Sequence, residues 1–285
     1  MRFCPLFSGS SGNSIYVGSD DTHLLVDIGA SNKQTEAVLN RIDLTGRDIN
    51  GILITHEHVD HIGGLGVFSR KYKVPLYLTQ GTADAMQSGR YRTCVGDIDS
   101  SLINIIRPDE EFMIGDICVN PMRISHDAAD PVGYRFRCGD KTAAVCTDLG
   151  TYTDYTVKCL EGMDVMLIEA NHDVRMLETG PYPYPLKRRI LSDTGHLCNE
   201  SSGKLISSIL HDRVKKIFLG HLSLENNDKD LAYEAVRAEI TMSDNSYRPN
   251  DFDIGIARRG LYRKEKDEFG NLKPVNEEPV VCIEF

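Results

Sequence analysis

The run Thr55-His56-Glu57-His58-Val59-Asp60-His61 places three imidazoles and an aspartate within six residues. It follows Gly51 to Ile54, an apolar run that reads as a buried strand, and precedes Ile62 to Leu65, which reads as a helix start. A strand that ends in this cluster presents it at a sheet edge, among the loops that carry function. Crowding such groups without a partner is costly, so a cation is their natural partner. The competing reading is a polar surface turn.

The rest of the chain alternates short strands with amphipathic helices. Phe3 to Phe7, Ser14 to Val17 and Leu24 to Ile28 read as strands, the first two separated by the Gly-Ser turn from Ser8 to Asn13. A helix is expected at Lys33 to Arg41, another through Lys71, a strand at Val74 to Leu78 and a short helix at Thr82 to Ser88. Residues 101–145 read mostly as strand, including Cys118 to Ser125, Gly133 to Cys138 and Thr142 to Cys146. Then come strands at Val165 to Glu169 and Lys216 to Leu219, helices at Asn199 to His211 and Lys229 to Glu239, and closing strands near Phe252 to Ala257 and Pro279 to Glu284. Pro181 to Pro185 reads as a stiff extended loop, too short to divide domains. The expected architecture is α/β, two sheets with helices outside in a four-layer αββα sandwich, formed by one domain over residues 1–285.

A formal net charge of −10 argues against holding a polyanion by bulk electrostatics, although bound divalent ions would return positive charge to a site. Lys187 to Arg189 and Arg258-Arg259 with Arg263-Lys264 are local basic groups, read either as solvated faces or as phosphate contacts. The eight cysteines form no CxxC pair and read as reduced thiols. No apolar run reaches the roughly 20 residues that span a bilayer, and the start of the chain lacks a signal-peptide pattern. A cytoplasmic protein with no membrane contact is expected.

Three further candidates follow strand-like runs: His126 after Met122 to Ser125, Asp148 after Ala143 to Thr147, and His221 after Lys216 to Gly220. One sheet edge could gather them all. Imidazole and carboxylate donors without thiolate suit Zn2+, Mn2+ or Fe2+ rather than a structural cysteine-type zinc site.

HxHxDH, a later His, a later Asp at a strand end and a final Gly-His resemble the metallo-β-lactamase superfamily across nearly the whole chain. The resemblance implies two divalent metal ions, one held by His56, His58 and His126, the second by Asp60, His61 and His221, with Asp148 bridging. Asp27 matches the superfamily's early Asp, which buttresses a ligand histidine. Such a pair of ions supplies a water activated near neutral pH and polarises the bond under attack. Glu57 reads as an exposed or bracing carboxylate rather than a catalytic one.

The superfamily cleaves lactams, thioesters, lactones and phosphodiesters, so the fold alone names no substrate. Glu169-Ala170 followed by a later His196 resembles the phosphodiesterase signature of tRNase Z-like enzymes, in which the carboxylate orients the His and the His protonates the leaving oxygen. Expelling an alkoxide calls for such an acid. His196, Glu169 and Asp60 are thus the candidate catalytic residues. Ser8 to Ser14, Glu169 to Asp173, Leu186 to Ser192 and Gly195 to Asn199 look like the YycJ/WalJ-type group, which implies 5′→3′ exonuclease activity on DNA; Cys198 departs from the serine of that group. Candidate phosphate contacts are Ser10, Ser11 and Asn13 of the Gly-Ser turn, which reads equally as a tight hairpin, together with His172 and Arg189. Cys146 reads as a buried core thiol.

The competing functions are a phosphodiesterase acting on a small cyclic phosphate and a thioester, lactone or lactam hydrolase with no need of a Glu169–His196 acid. A binding module on a retired scaffold is the non-enzymatic alternative. The 72 residues between Asp148 and His221 leave no room for a large nucleic-acid-clamping insert. DNA is favoured over RNA as the nucleic acid partner.

Overall fold

The structure, a computed structural model, describes residues 1–260 and 279–285, with the backbone of 264–266 and 272–274. The chain begins β1 (Arg2–Phe7), β2 (Ser14–Gly18), β3 (His23–Val26), α1 (Asn32–Leu39), β4 (Gly51–Leu53), α2 (Val59–Ile62), α3 (Leu65–Tyr72), β5 (Leu76–Thr79), α4 (Gln80–Met86), α5 (Gly89–Val95) and β6 (Ile103–Ile106). An antiparallel meander follows: β7 (Phe112–Ile114), β8 (Ile117–Arg123), β9 (Val132–Cys138) and β10 (Lys141–Cys146). Next come α6 (Asp154–Leu160), β11 (Val165–Glu169), α7 (Val174–Thr179), α8 (Tyr184–Ile190), α9 (Asn199–Ile209), β12 (Lys216–Gly220), α10 (Lys229–Met242) and β13 (Ile254–Ile256). A hairpin of β14 (Lys264–Lys266) and β15 (Leu272–Pro274) precedes β16 (Ile283–Glu284).

Two mixed seven-stranded sheets result, ordered β16-β1-β2-β3-β4-β5-β6 and β13-β12-β11-β10-β9-β8-β7. The period of two along each strand builds the layers. On β11, Val165 and Leu167 point into the core shared by both sheets, beside Phe3, Val26 and Leu53 of the first. Met166 and Ile168 point the other way, beneath Leu205 and Ile206 of α9 and Val236 of α10. The first sheet likewise turns Leu25, Ile52 and Leu76 onto Leu39, Phe68 and Met86 of its own helices. Strands covered on both faces need near-continuous apolar runs, which is what β4 and β11 carry. The αββα sandwich expected from sequence is present.

β3, β4, β10, β11 and β12 enter parallel pairings, and most candidates for function lie just past their carboxyl ends, with His126 past the antiparallel β8 and His196 before α9. Chain reversal there is abrupt. Asp27, Asp148 and His221 each adopt positive φ, at 61°, 58° and 53°. That region is costly for a residue with a Cβ and tends to persist where surrounding contacts enforce it.

Three local differences from the sequence reading have physical causes. Residues 181–185 are not all extended, because α8 starts at Tyr184; Pro185 falls in its first turn, where no N–H is needed. Gly89 and Gly96 bracket α5, a helix that their conformational freedom had masked. The expectation that all cysteines are reduced is corrected: Cys4 of β1 and Cys282 are disulfide-bonded across 278 residues, leaving Cys94, Cys118, Cys138, Cys146, Cys159 and Cys198 free. Sequence separation gave no hint of that pair, which only the β1–β16 register brings together.

Candidate metal centre and phosphodiester site

The loop after β4 runs from buried Thr55 into α2 and is braced from behind. Asp27 accepts the Thr55 N–H at 2.8 Å and its hydroxyl at 2.7 Å, and its Oδ2 lies 2.7 Å from His61 Nδ1. Gly29 is required here, since a Cβ on it would meet the Asp60 carbonyl oxygen at 1.7 Å. Asn13 adds a second brace, its Nδ2 lying 3.3 Å from the Asp60 carbonyl, 3.4 Å from Asp60 Oδ2 and 3.0 Å from His61 Nε2.

Donor atoms of His56, His58 and His126 lie within 4.8 Å of one another, as do those of His56, His61 and Asp148, and those of Asp60, His61 and His221. Asp148, Glu169, His196 and His221 form a fourth such group. All seven residues named as metal ligands from sequence are therefore brought together. Most imidazoles have an acceptor behind Nδ1: Thr55 Oγ1 for His56 at 3.0 Å, Asp27 for His61, the Gly195 carbonyl for His126 at 3.1 Å, and Glu169 Oε1 for His221 at 3.2 Å. Such partners fix the tautomer and aim each Nε2 lone pair at the cluster. His58 instead turns Nδ1 inward, 3.2 Å from His126 Nε2.

Convergent lone pairs need a positive charge between them. His56 Nε2, His221 Nε2 and Asp148 Oδ2 are buried and make no hydrogen bond, a cost of about 1–3 kcal/mol each unless a cation takes them up. The donors fit a divalent metal site built of imidazole and carboxylate. Cys146 stays out of it, buried in the helix-side core with its thiol pushed up by burial.

Electrostatics divide the imidazoles. Burial and the neighbouring His61 hold His56 well below the usual imidazole range, and burial brings His58 to about 4. Burial alone would lower His61 and His221 as well. Asp148, Asp27 and Asp60 outweigh it at His61, and Asp148, Asp60 and Glu169 raise His221 to about 10. Asp148 is held well below the carboxylate range, since His221 and His61 overcome its burial.

At the edge of this cluster His196 Nδ1 lies 2.8 Å from Glu169 Oε1, with its ring stacked on His221 at 5.3 Å between centroids. Glu169 is wholly buried. Its Oε2 accepts the backbone N–H of Leu149 at 2.7 Å and of Leu197 at 3.3 Å. Burial would raise this carboxyl, yet His196 and His221 hold it at about 2. A close turn makes the placement: a Cβ on Gly195 would meet the Ile190 carbonyl oxygen at 2.2 Å.

The candidate phosphate contacts divide. Ser10 and Ser11 are exposed in the Gly-Ser turn, whereas Asn13 is buried against Asp60 and His61. His172 is buried beside Asn171, its Nδ1 3.3 Å from Asn171 Oδ1, and burial lowers it to about 4. Arg189 is half-exposed and pairs with both oxygens of Asp127. Glu57 is buried, accepting the Ala129 N–H at 2.9 Å. Of the second basic group, Arg258 is buried, Arg259 donates to the Ser223 carbonyl at 2.5 Å, and Arg263 lies outside the described residues.

Sequence reasoning passed over Asp127 and Asn171. Asp127 Oδ1 lies 3.5 Å from His126 Nε2 and 3.9 Å from His58 Nε2, and its position directly after His126 was the available signal. Asn171 lies 3.3 Å from His221 Nδ1 and donates to the His221 carbonyl at 2.9 Å, a contact that no spacing announces.

Fold and site together define a metal-dependent enzyme scaffold, and sequence comparison agrees. The chain belongs to the beta-lactamase superfamily domain family, which matches residues 22–215. It is 43% identical over 236 residues to Exodeoxyribonuclease YycJ of Bacillus anthracis, covering 83% of this chain and 88% of that protein. It is also 43% identical over 244 residues to Exodeoxyribonuclease WalJ of Streptococcus pneumoniae, covering 86% and 90%. Among solved structures, the metallo-beta-lactamase fold protein YhfI from Bacillus subtilis superposes with a TM-score of 0.66 at 17% identity, over 91% of this chain and 98% of that one. Among the described residues, no helix is long and apolar enough to cross a membrane.

Proposed function

We propose that the chain is a dinuclear metal-dependent phosphodiesterase that removes nucleotides from DNA in the 5′→3′ direction. The observation that carries this reading is the Glu169–His196 pair, 2.8 Å apart on the rim of the donor cluster. A thiolate leaves without a proton, so thioester cleavage has no use for an acid there, whereas a sugar alkoxide leaves poorly without one. The 43% identity to exodeoxyribonucleases over most of the chain supports DNA as the substrate.

His56, His58 and His126 would hold one ion and Asp60, His61 and His221 the other, with Asp148 between them; zinc, manganese and iron all suit the donors. When bound, such ions supply a nucleophile reactive near neutral pH and neutralise charge on the phosphate. The side chains do the rest. Glu169 accepts the Nδ1 proton of His196, so the imidazolium carries its transferable proton on Nε2, and the ring's 14% side-chain exposure lets a leaving oxygen reach it. Proton transfer leaves a neutral ring whose tautomer Glu169 has already set. Glu169 Oε1 also faces His221 Nδ1, so one carboxylate orients the acid and a ligand together. Arg189, Ser10 and Ser11 would meet phosphate oxygens.

Digestion of end-labelled linear DNA by purified protein with Mn2+ tests the proposal. Mononucleotides are expected from the 5′ end, with release abolished and metal retained in His196→Ala. Turnover of a cyclic phosphate without digestion of DNA would replace this reading with that of a small-molecule phosphodiesterase.

A further inference from the structure

Arg90 lies in the first turn of α5, exposed, and among the described residues it makes no ion pair. Its guanidinium sits over the Tyr91 ring, 4.9 Å from the centroid, and donates to the Tyr91 hydroxyl at 2.9 Å. Tyr91 packs against the helix-side core of the first sheet and so mounts that cation on a fixed base. The helix beneath is moored. Arg70 of α3 donates to the Val95 carbonyl at 2.8 Å and the Asp97 carbonyl at 3.0 Å, and a Cβ on Gly66 would meet the Val95 carbonyl oxygen at 1.7 Å. α5 also packs on α2, which carries Asp60 and His61. On another element, α8, Arg189 reaches Asp127 beside His126. The charges of Arg189 and Glu57 act on Arg90, and those of Asp127 and Asp60 on Arg189. In a chain of net charge −10, α5, packed on the α2 of the metal loop, and α8, whose Arg189 reaches Asp127 beside His126, thus bring cations beside one donor cluster.

Resting on the nuclease reading, we propose that Arg90, mounted on Tyr91, and Arg189 form a two-armed clamp for the sugar–phosphate backbone of a single strand beyond the scissile bond. Each arm takes one phosphate: Arg189 by exchanging the Asp127 carboxylate for it, Arg90 with its unpaired N–H groups. Tyr91 is a positioning residue. A dinucleotide is too short to meet both arms, so the clamp acts on length as well as charge.

KM and kcat for a single-stranded dodecadeoxynucleotide and for a dinucleotide, measured with the Mn2+-loaded enzyme over a salt series, test the clamp. Arg90→Gln is expected to raise the dodecamer KM about tenfold with kcat near wild type. It should also reduce the slope of log affinity against log salt by about 0.7, the value for one lost phosphate contact on a single strand. Dinucleotide KM should barely move. Tyr91→Leu should reproduce part of the KM rise, and Tyr91→Phe, which keeps the ring, should recover most of it. Unchanged KM and salt slope in Arg90→Gln, with the wild type digesting the dodecamer, overturns the clamp alone. A wild type that cleaves the dinucleotide but neither binds nor digests the dodecamer overturns the polynucleotide reading and the clamp with it.

Discussion

Glu169→Gln isolates the carboxylate that lies between His196 and the donor cluster. The Glu169 oxygens face four donors: Leu149 and Leu197 N–H on Oε2, His196 and His221 Nδ1 on Oε1. An amide keeps one oxygen and turns an NH2 toward the other pair. Facing the backbone, that NH2 would strand two buried N–H groups at about 1–3 kcal/mol each. Facing the imidazoles costs less, because His196 can shift its proton to Nε2, whereas His221 must keep Nε2 for a metal and so loses its acceptor. His196 then has no carboxylate behind Nδ1, and the imidazolium acid is lost. General acid catalysis is worth about 10²–10⁴ in rate, so kcat on DNA should fall about 10²–10³-fold, or roughly 3–4 kcal/mol of barrier. Metal affinity should weaken by about 10–100-fold, since His221 loses the partner behind it. The assay is therefore kcat at saturating metal for Glu169→Gln, His196→Ala and the double variant. If the residues act as a unit, the double variant matches His196→Ala. Multiplicative losses, or a Glu169→Gln enzyme with wild-type kcat, would refute the coupling.

Other expectations follow from single contacts. Asp148→Ala should lose both ions, because its carboxylate lies 3.2 Å from His61 Nε2 of one ligand set and 3.9 Å from His126 Nε2 of the other; two ions retained by elemental analysis would contradict the bridging role. Gly29→Ala should cost about 2 kcal/mol or more and weaken metal binding, as its Cβ cannot share space with the Asp60 carbonyl; thermal melts with and without EDTA measure both effects. Denatured, unreduced protein should show six reactive thiols of the eight cysteines, and reduction should lower stability by about 2–4 kcal/mol; eight thiols would remove the Cys4–Cys282 bond.

The sandwich could be read in advance because buried strands such as Gly51 to Ile54 and Val165 to Glu169 are continuous apolar runs, and each ends in chemistry. Strand-terminal His126, Asp148 and His221 could be named for the same reason. What escaped depends on contacts across the fold. Asn13 reads from sequence as a candidate phosphate contact, whereas the approach of its loop to α2 turns it onto Asp60 and His61. Asp127 meets Arg189 across 62 residues, and Cys4 meets Cys282 across nearly the whole chain. Local pattern holds no record of such pairings. The α5 helix was hidden by its own flanking glycines, and with it Arg90 and Tyr91.

The central claim is that His196, held by Glu169, protonates the departing oxygen of a phosphodiester. Its most direct test is leaving-group dependence, comparing thymidine 5′-phosphate esters of 4-nitrophenol and of an alkyl alcohol in wild type and His196→Ala at saturating metal. 4-Nitrophenolate leaves without a proton, so its ester should lose less than about tenfold, while the alkyl ester loses about 10³-fold. Equal losses on the two esters would contradict the account.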